Sequence, residues 1–134
     1  MTRRLVDTSA YSAFMRGHPT VRTLLQRCDS IALSPVTLGE LYAGFASGGR
    51  EKKNRNELEE FLSSARVSVV DVTAETSEYY GAIHRSLRQA GTPIPANDLW
   101  IAASAMEFGF RVVTTDEHFT KVRQIVVDYC SPHG

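Results

Sequence analysis

Five short apolar runs, rich in β-branched residues, recur along this chain with longer stretches of helical spacing between them. The runs are Leu5-Val6, Ile31-Ala32-Leu33, Val67 to Val72, Val112-Val113 and Ile125-Val126-Val127. Runs this short and this apolar suit strands buried on both faces. Between them, Leu38, Leu41, Tyr42 and Phe45 repeat at i, i+3, i+4 and i+7, and Tyr80, Ile83 and Leu87 follow the same spacing with Tyr79 alongside. Trp100, Ile101, Ala102, Ala103, Ala105 and Met106 are apolar almost all round, which predicts a helix buried between layers. Such alternation predicts an α/β fold with a parallel sheet covered on both faces. Helix pairs between some strands make it a three-layer α/β/α arrangement around four to five central strands.

The chain's 134 residues supply one sizeable core and not two, so residues 1–130 form one expected domain and Ser131 to Gly134 a loose tail. Breaks fall at Gly17-His18-Pro19-Thr20, between two short helices, at Ser34-Pro35, where Pro suits a first helical turn, and at Gly91 to Pro95. Residues 47–56 are polar, Gly-containing and basic, and predict a mobile turn leading into a helix around Glu57 to Ser64. With 43% apolar and 22% charged residues, disorder is excluded. No apolar run approaches the ~20 residues that span a bilayer. The N-terminus reaches Asp7 after two apolar residues and has no signal-peptide core. Two cysteines, Cys28 and Cys130, make neither a disulfide framework nor a metal spacing, so both are expected inert in a reducing cytoplasm. Fifteen basic residues balance 15 acidic ones, which excludes attachment to nucleic acid by bulk charge and leaves room for a locally basic surface.

In a parallel α/β sheet, ligands bind beyond the carboxyl ends of the strands. Asp7 directly follows Leu5-Val6, and Asp116 follows Val112-Val113-Thr114-Thr115, which puts both on one rim. Glu40 lies one turn into the helix after the second strand, and Asp98 starts the buried helix. Each acid has an ordinary role open to it as well. Asp7 and Asp116 suit helix N-caps, Asp98 suits the positive end of a helix, and Glu40 is common in helices. What distinguishes them is their neighbours. Surface acids often have a Lys or Arg three or four residues away, as Glu57 has Lys53 and Glu59 has Arg55. Glu40 has Val36, Thr37, Ala43 and Gly44 at those offsets; Asp98 has Ile94, Pro95, Ile101 and Ala102; Asp116 has Val112, Val113, Phe119 and Thr120. Asp7 is less isolated, with Arg3 and Arg4 nearby. Carboxylates gathered on one rim would repel by about 4 kcal/mol per pair at ~4 Å and an effective dielectric of about 20, so a proton or a cation must offset them. Oxygen donors without a Cys or His cluster favour Mg²⁺ or Mn²⁺ over zinc, and such a site takes phosphate as its substrate-side ligand.

Four segments occur in order: Val6-Asp7-Thr8-Ser9, the stretch Thr37 to Gly44 containing Glu40, Asn97-Asp98-Leu99-Trp100-Ile101-Ala102-Ala103, and Thr114-Thr115-Asp116-Glu117-His118-Phe119. Together they resemble the PIN-domain nucleases, and in particular the VapC-type toxins of bacterial toxin–antitoxin pairs. The resemblance implies a PIN-like fold and a Mg²⁺- or Mn²⁺-dependent endoribonuclease. It implies a homodimer neutralised by a cognate antitoxin, with tRNA or rRNA as substrate. Asp7, Glu40, Asp98 and Asp116 map onto the family's catalytic acids and would bind one or two ions, with Glu40 orienting the attacking water or completing a second metal site. Cleavage would leave a 5′-phosphate and a 3′-hydroxyl without a protein nucleophile. The small hydroxyl after the first acid maps onto Thr8 or Ser9. Thr115, before the last acid, would hold a substrate phosphate or a metal-bound water. Arg50, Lys52, Lys53 and Arg55 are candidates for phosphate contacts, and a solvated helix start accounts for them more simply. His118, next to the last acid, could touch substrate, though a capping or surface role is expected, and His84 is expected to be structural.

Other classes compete for the same residues. A non-catalytic PIN-like module would use the acids to hold an ion or to receive a partner's arginine. A phosphoryl-accepting receiver domain wants adjacent acids near the first strand, where this chain has Thr8 and Ser9. A phosphatase with an Asp nucleophile wants an acid at position 9, which is Ser.

Overall fold

The computed structural model describes residues 1–133; Gly134, the last residue of the expected tail, lies outside them. Strand β1 (Arg3–Val6) leads into helices α1 (Thr8–Met15) and α2 (Pro19–Gln26). Strand β2 (Ser30–Leu33) precedes α3 (Pro35–Ser47) and α4 (Glu51–Leu62), and β3 (Val67–Val69) precedes α5 (Ala74–Ala90) and α6 (Ala96–Phe108). Strand β4 (Arg111–Thr114), a 3-10 turn (Glu117–Lys121) and β5 (Val127–Tyr129) close the chain. All neighbouring strands are parallel, in the order β3-β2-β1-β4-β5.

That order decides which helices cover which face. Right-handed crossovers stepping from β1 to β2 to β3 keep their helices on one side; the return past β1 to β4 puts the next helices on the other. One apolar layer accordingly joins Val6, Ile31, Leu33 and Val113 to α1–α4 through Ala10, Val21, Leu25, Leu41 and Leu58. The other joins Leu5, Ala32 and Val112 to Ile83, Leu87, Leu99, Ile101 and Phe119. Helix α6 buries Leu99 and Ile101 to Ala105, as its apolar circumference predicts. Gly91 and Gly109 end α5 and α6 at φ 73° and 74°, a left-handed backbone that side chains resist. His18 caps α2, its Nδ1 accepting from the Val21 amide at 3.3 Å, while Nε2 lies 2.7 Å from the Ser131 carbonyl and ties the chain end to the α1–α2 turn. Among the described residues no helix is long and apolar enough to cross a membrane.

Three boundaries differ from the sequence reading. Helix α4 starts at Glu51, so only Gly48 to Arg50 link it to α3, and it ends at Leu62. Its first apolar core residue is Leu58, so its opening turns carry no hydrophobic periodicity; Arg55 Nε pairs instead with Glu51 at 3.4 Å. Strand β3 stops at Val69 because β2 ends opposite it, and Val72 is exposed. Strand β5 runs from Val127 to Tyr129, two residues later than the apolar run.

The cause of that shift is Asp128, which no apolar count would place in a sheet. Its carboxylate accepts from Arg4 Nε on β1 at 2.9 Å and from Arg111 Nε and Nη2 on β4 at 2.9 and 2.7 Å. Arg4 also donates to the Leu24 carbonyl and to Cys28 Sγ, so this thiol has a cationic neighbour; it stays buried, as does Cys130. The Asp128 carboxyl is held below its ordinary value by Arg111 first and Arg4 next, against burial. Its stabilising effect is therefore full at neutral pH and fades as pH falls below about 4. Asp128→Ala should cost about 3 kcal/mol at pH 7, chiefly by stranding Arg4, whose side chain is 10% exposed. Urea unfolding should show that loss shrinking toward pH 3.

Candidate active site

The strand order reverses between β1 and β4, the place where folds of this kind bind ligands beyond the carboxyl ends of the strands. Asp7 leaves β1 at that point and Asp116 follows β4 two residues after its last member. Asp7 is only 3% exposed. Its Oδ1 caps α1 by accepting from the Ala10 amide at 2.8 Å, and Ser9 Oγ lies 2.8 and 2.9 Å from its two oxygens. Thr114 Oγ1 donates to Oδ2 at 2.7 Å. Both hydroxyls in turn accept backbone amides, Ser9 from Thr115 at 3.0 Å and Thr114 from Asp116 at 2.9 Å. The end of β4 is thus stitched onto the first acid through two hydroxyls.

Asp98 sits in the first turn of α6, where the helix dipole favours a carboxylate. Asp116 caps the 3-10 turn through the His118 amide at 2.9 Å. His118 Nδ1 then lies 3.2 Å from Asp98 Oδ2 and 3.1 Å from Asp116 Oδ1. Glu40, from α3, is held at both oxygens: Thr8 Oγ1 donates at 2.5 Å and Asn97 Nδ2 at 3.2 Å. Burial pushes the Asp7 carboxyl up to about 6 despite its hydrogen bonds, and the Asp98 charge adds to the rise. Burial also raises Asp98, with Asp116 and Glu40 adding repulsion against the lowering effect of His118. Asp98 is thus coupled by charge to each of the other three acids, and the helix-cap roles open to Asp7 and Asp116 are filled as well.

The PIN-domain family profile matches residues 4–125. A relative from Rickettsia felis, the ribonuclease VapC2, is 31% identical over 129 residues, covering 92% of this chain and 95% of its own length. The chain belongs to the PIN-domain family, in its VapC group. Two solved complexes have the same fold over 96% of this chain and 98% of theirs: VapBC2 from Rickettsia felis bound to a promoter DNA fragment (TM-score 0.81, 26% identity) and DNA-bound VapBC from Salmonella typhimurium (TM-score 0.83, 25% identity).

The donor set of this PIN domain fits a divalent cation. One ligand atom each from Asp98, Asp116 and His118 lie within 4.8 Å of one another, beside two further carboxylates whose charge is otherwise offset only by neutral hydrogen bonds. Oxygen-rich sets of this kind suit hard cations.

The structure also places the other residues singled out in the sequence. Thr115 contributes its amide; the hydroxyl that reaches the acids belongs to Thr114, which is fully buried at the end of β4. The Thr-Thr pair offers two hydroxyls, and the strand's alternation turns only one of them inward. Thr8 and Ser9 both bond acids, Thr8 to Glu40 and Ser9 to Asp7. Asn97 went unassigned, although its place beside Asp98 puts it on the same helix start. His118 bridges two acids that have no Lys or Arg at helical offsets. Arg3 and Arg4 turn away from Asp7, Arg3 donating to the Phe108 carbonyl at 2.8 Å. Arg50, Lys52, Lys53 and Arg55 are exposed at the start of α4 and bond none of the four acids; Arg55 lies 4.5 Å over the Tyr42 ring. His84 is exposed and stacks on Tyr80.

A buried acid whose folded value is raised favours folding below its ordinary value and opposes it as pH rises past 6. Asp7→Asn keeps the cap and removes the charge, so the metal-free variant should be more stable than the unaltered protein at pH 8, by up to about 3 kcal/mol. The advantage should shrink as pH falls through 6 and vanish near 4, read by urea unfolding in chelator.

Proposed function

We propose that this chain is the toxin of a type II toxin–antitoxin pair and acts as a Mg²⁺- or Mn²⁺-dependent endoribonuclease on tRNA or rRNA. The observation that supports this reading is the charge coupling of Asp98 with Asp7, Glu40 and Asp116 near the switch point, a repulsion that a cation would relieve. The relatives named ribonucleases and the toxin–antitoxin complexes of the same fold supply the substrate class and the partner. The enzyme works in the cytoplasm, pairs with a second copy of itself as the resemblance implies, and is neutralised by its antitoxin.

Asp98 and Asp116, with Asp7 behind them, would hold the metal. When bound, a divalent ion at such a site stabilises charge developing on phosphate and lowers the pKa of a water. The protein's own share is placement. Thr8 and Asn97 fix both oxygens of Glu40, leaving their remaining lone pairs to orient the attacking water and receive its proton. Ser9 and Thr114 keep Asp7 turned toward Asp98. Hydrolysis adds water across the phosphodiester: oxygen bonds to phosphorus, and the 3′ oxygen leaves and takes a proton. The products carry a 5′-phosphate and a 3′-hydroxyl, and no protein nucleophile takes part. Exposed Arg50, Lys52 and Lys53 are the candidates for RNA backbone contact.

Asp98→Asn should lower metal-dependent RNA cleavage by at least about 100-fold while circular dichroism stays unchanged, and should abolish growth arrest on expression. Sequencing RNA 5′ ends after induction identifies the cut sites. Metal binding by calorimetry without cleavage of any structured RNA would point to a binding module instead.

A further inference from the structure

Among the contacts at the rim, the one to His118 differs in kind from the rest. The others join carboxylates to hydroxyls, amides or Asn97; this one points an imidazole nitrogen at two acids simultaneously, at 3.2 Å from Asp98 and 3.1 Å from Asp116. An octahedral ion with bonds of about 2.1 Å sets neighbouring ligand atoms about 3.0 Å apart. The two separations from Nδ1 match adjacent corners on such an ion, and all three atoms lie within 4.8 Å of one another, close enough to share it. The ring is also held from behind. The His118 amide is fixed by the Asp116 cap at 2.9 Å, and the next residue, Phe119, is fully buried in the core. A side chain that served only to neutralise the rim would do so better as Lys or Arg, which carry a full charge at neutral pH.

We propose that His118 is a ligand of this metal site, its Nδ1 adding a nitrogen donor to Asp98 and Asp116 and so favouring Mn²⁺ over Mg²⁺. This rests on the proposed reading of the four acids as a metal centre and adds to it the choice of ion. Mg²⁺ dehydrates reluctantly and favours oxygen; imidazole is a ligand for transition metals, and a mixed set of two carboxylates and one imidazole selects an ion that accepts both. A nitrogen at this position takes the place of a water that an oxygen-only site would retain.

The test uses the full chain, stripped with chelator and titrated by calorimetry with Mn²⁺ and with Mg²⁺. The unaltered protein should bind Mn²⁺ at least about tenfold more tightly, and His118→Gln should lose about tenfold or more in Mn²⁺ affinity with less than about a twofold change for Mg²⁺. Pulsed electron paramagnetic resonance of the Mn²⁺-loaded protein should show a directly coordinated ¹⁴N that is absent in His118→Gln. Because His118 is 43% exposed, the variant should fold, and thermal unfolding verifies that. No ¹⁴N coupling in the unaltered protein, or equal losses for both ions, would overturn the inference. Asp98→Asn separates the two levels. If it abolishes Mn²⁺ binding while His118→Gln changes nothing, the acid centre stands and the imidazole ligand falls. If Asp98→Asn leaves Mn²⁺ binding intact, the metal-centre reading itself fails.

Discussion

A carboxylate buried between two central strands is tolerable only when its lone pairs are met. Asp7 meets that condition through one amide of its own helix and two hydroxyls, and those hydroxyls are themselves fixed by amides at the end of β4. The arrangement joins strands that are adjacent in space and more than a hundred residues apart in sequence. It leaves Asp7 poised rather than comfortable, since burial still outweighs the hydrogen bonds. The other acids inherit their positions from that junction. Asp116 begins where Thr114 accepts its amide, and Asp98 faces the same rim from α6.

Apolar packing carries the remaining precision. The 3-10 turn that holds Asp116 and His118 is anchored by Phe119, and α6 is gripped on nearly all sides in the same layer. Helix α3, bearing Glu40, belongs to the opposite layer. The rim is therefore assembled from both faces of the sheet, and the Asn97–Glu40 bond joins the two layers across it. Loss of packing in either layer moves only part of the acid set, which makes the relative geometry of the acids sensitive to core substitutions far from them.

The architecture was legible because buried parallel strands announce themselves as short β-branched runs, and because the acids follow β1 and β4 directly. Their meeting was legible from what surrounds each in sequence, apolar or small residues where a counter-ion would usually stand. Less legible was anything determined laterally. Asp128 enters β5 because Arg4 and Arg111 satisfy it, and no local pattern reports that. The opening turns of α4 have no apolar face to betray them. Thr114 and Thr115 are equivalent letters until a pleat orients them, and the bridging position of His118 depends on a turn whose geometry only the fold defines. Their neighbours singled out the four acids and the resemblance pointed to Thr8 or Ser9; the Thr114 hydroxyl and the Asn97 amide that also brace them depend on the fold.

The central strand of this sheet is made first, and one of its two neighbours, β4, much later. Thr114 is made 107 residues after Asp7, or about 5 to 20 s of translation. Throughout that interval the growing polypeptide lacks both the hydroxyl that orients its first acid and the turn that carries its last. A ribonuclease toxin of this topology gains its full set of acids only once β4 and the turn after it have been made.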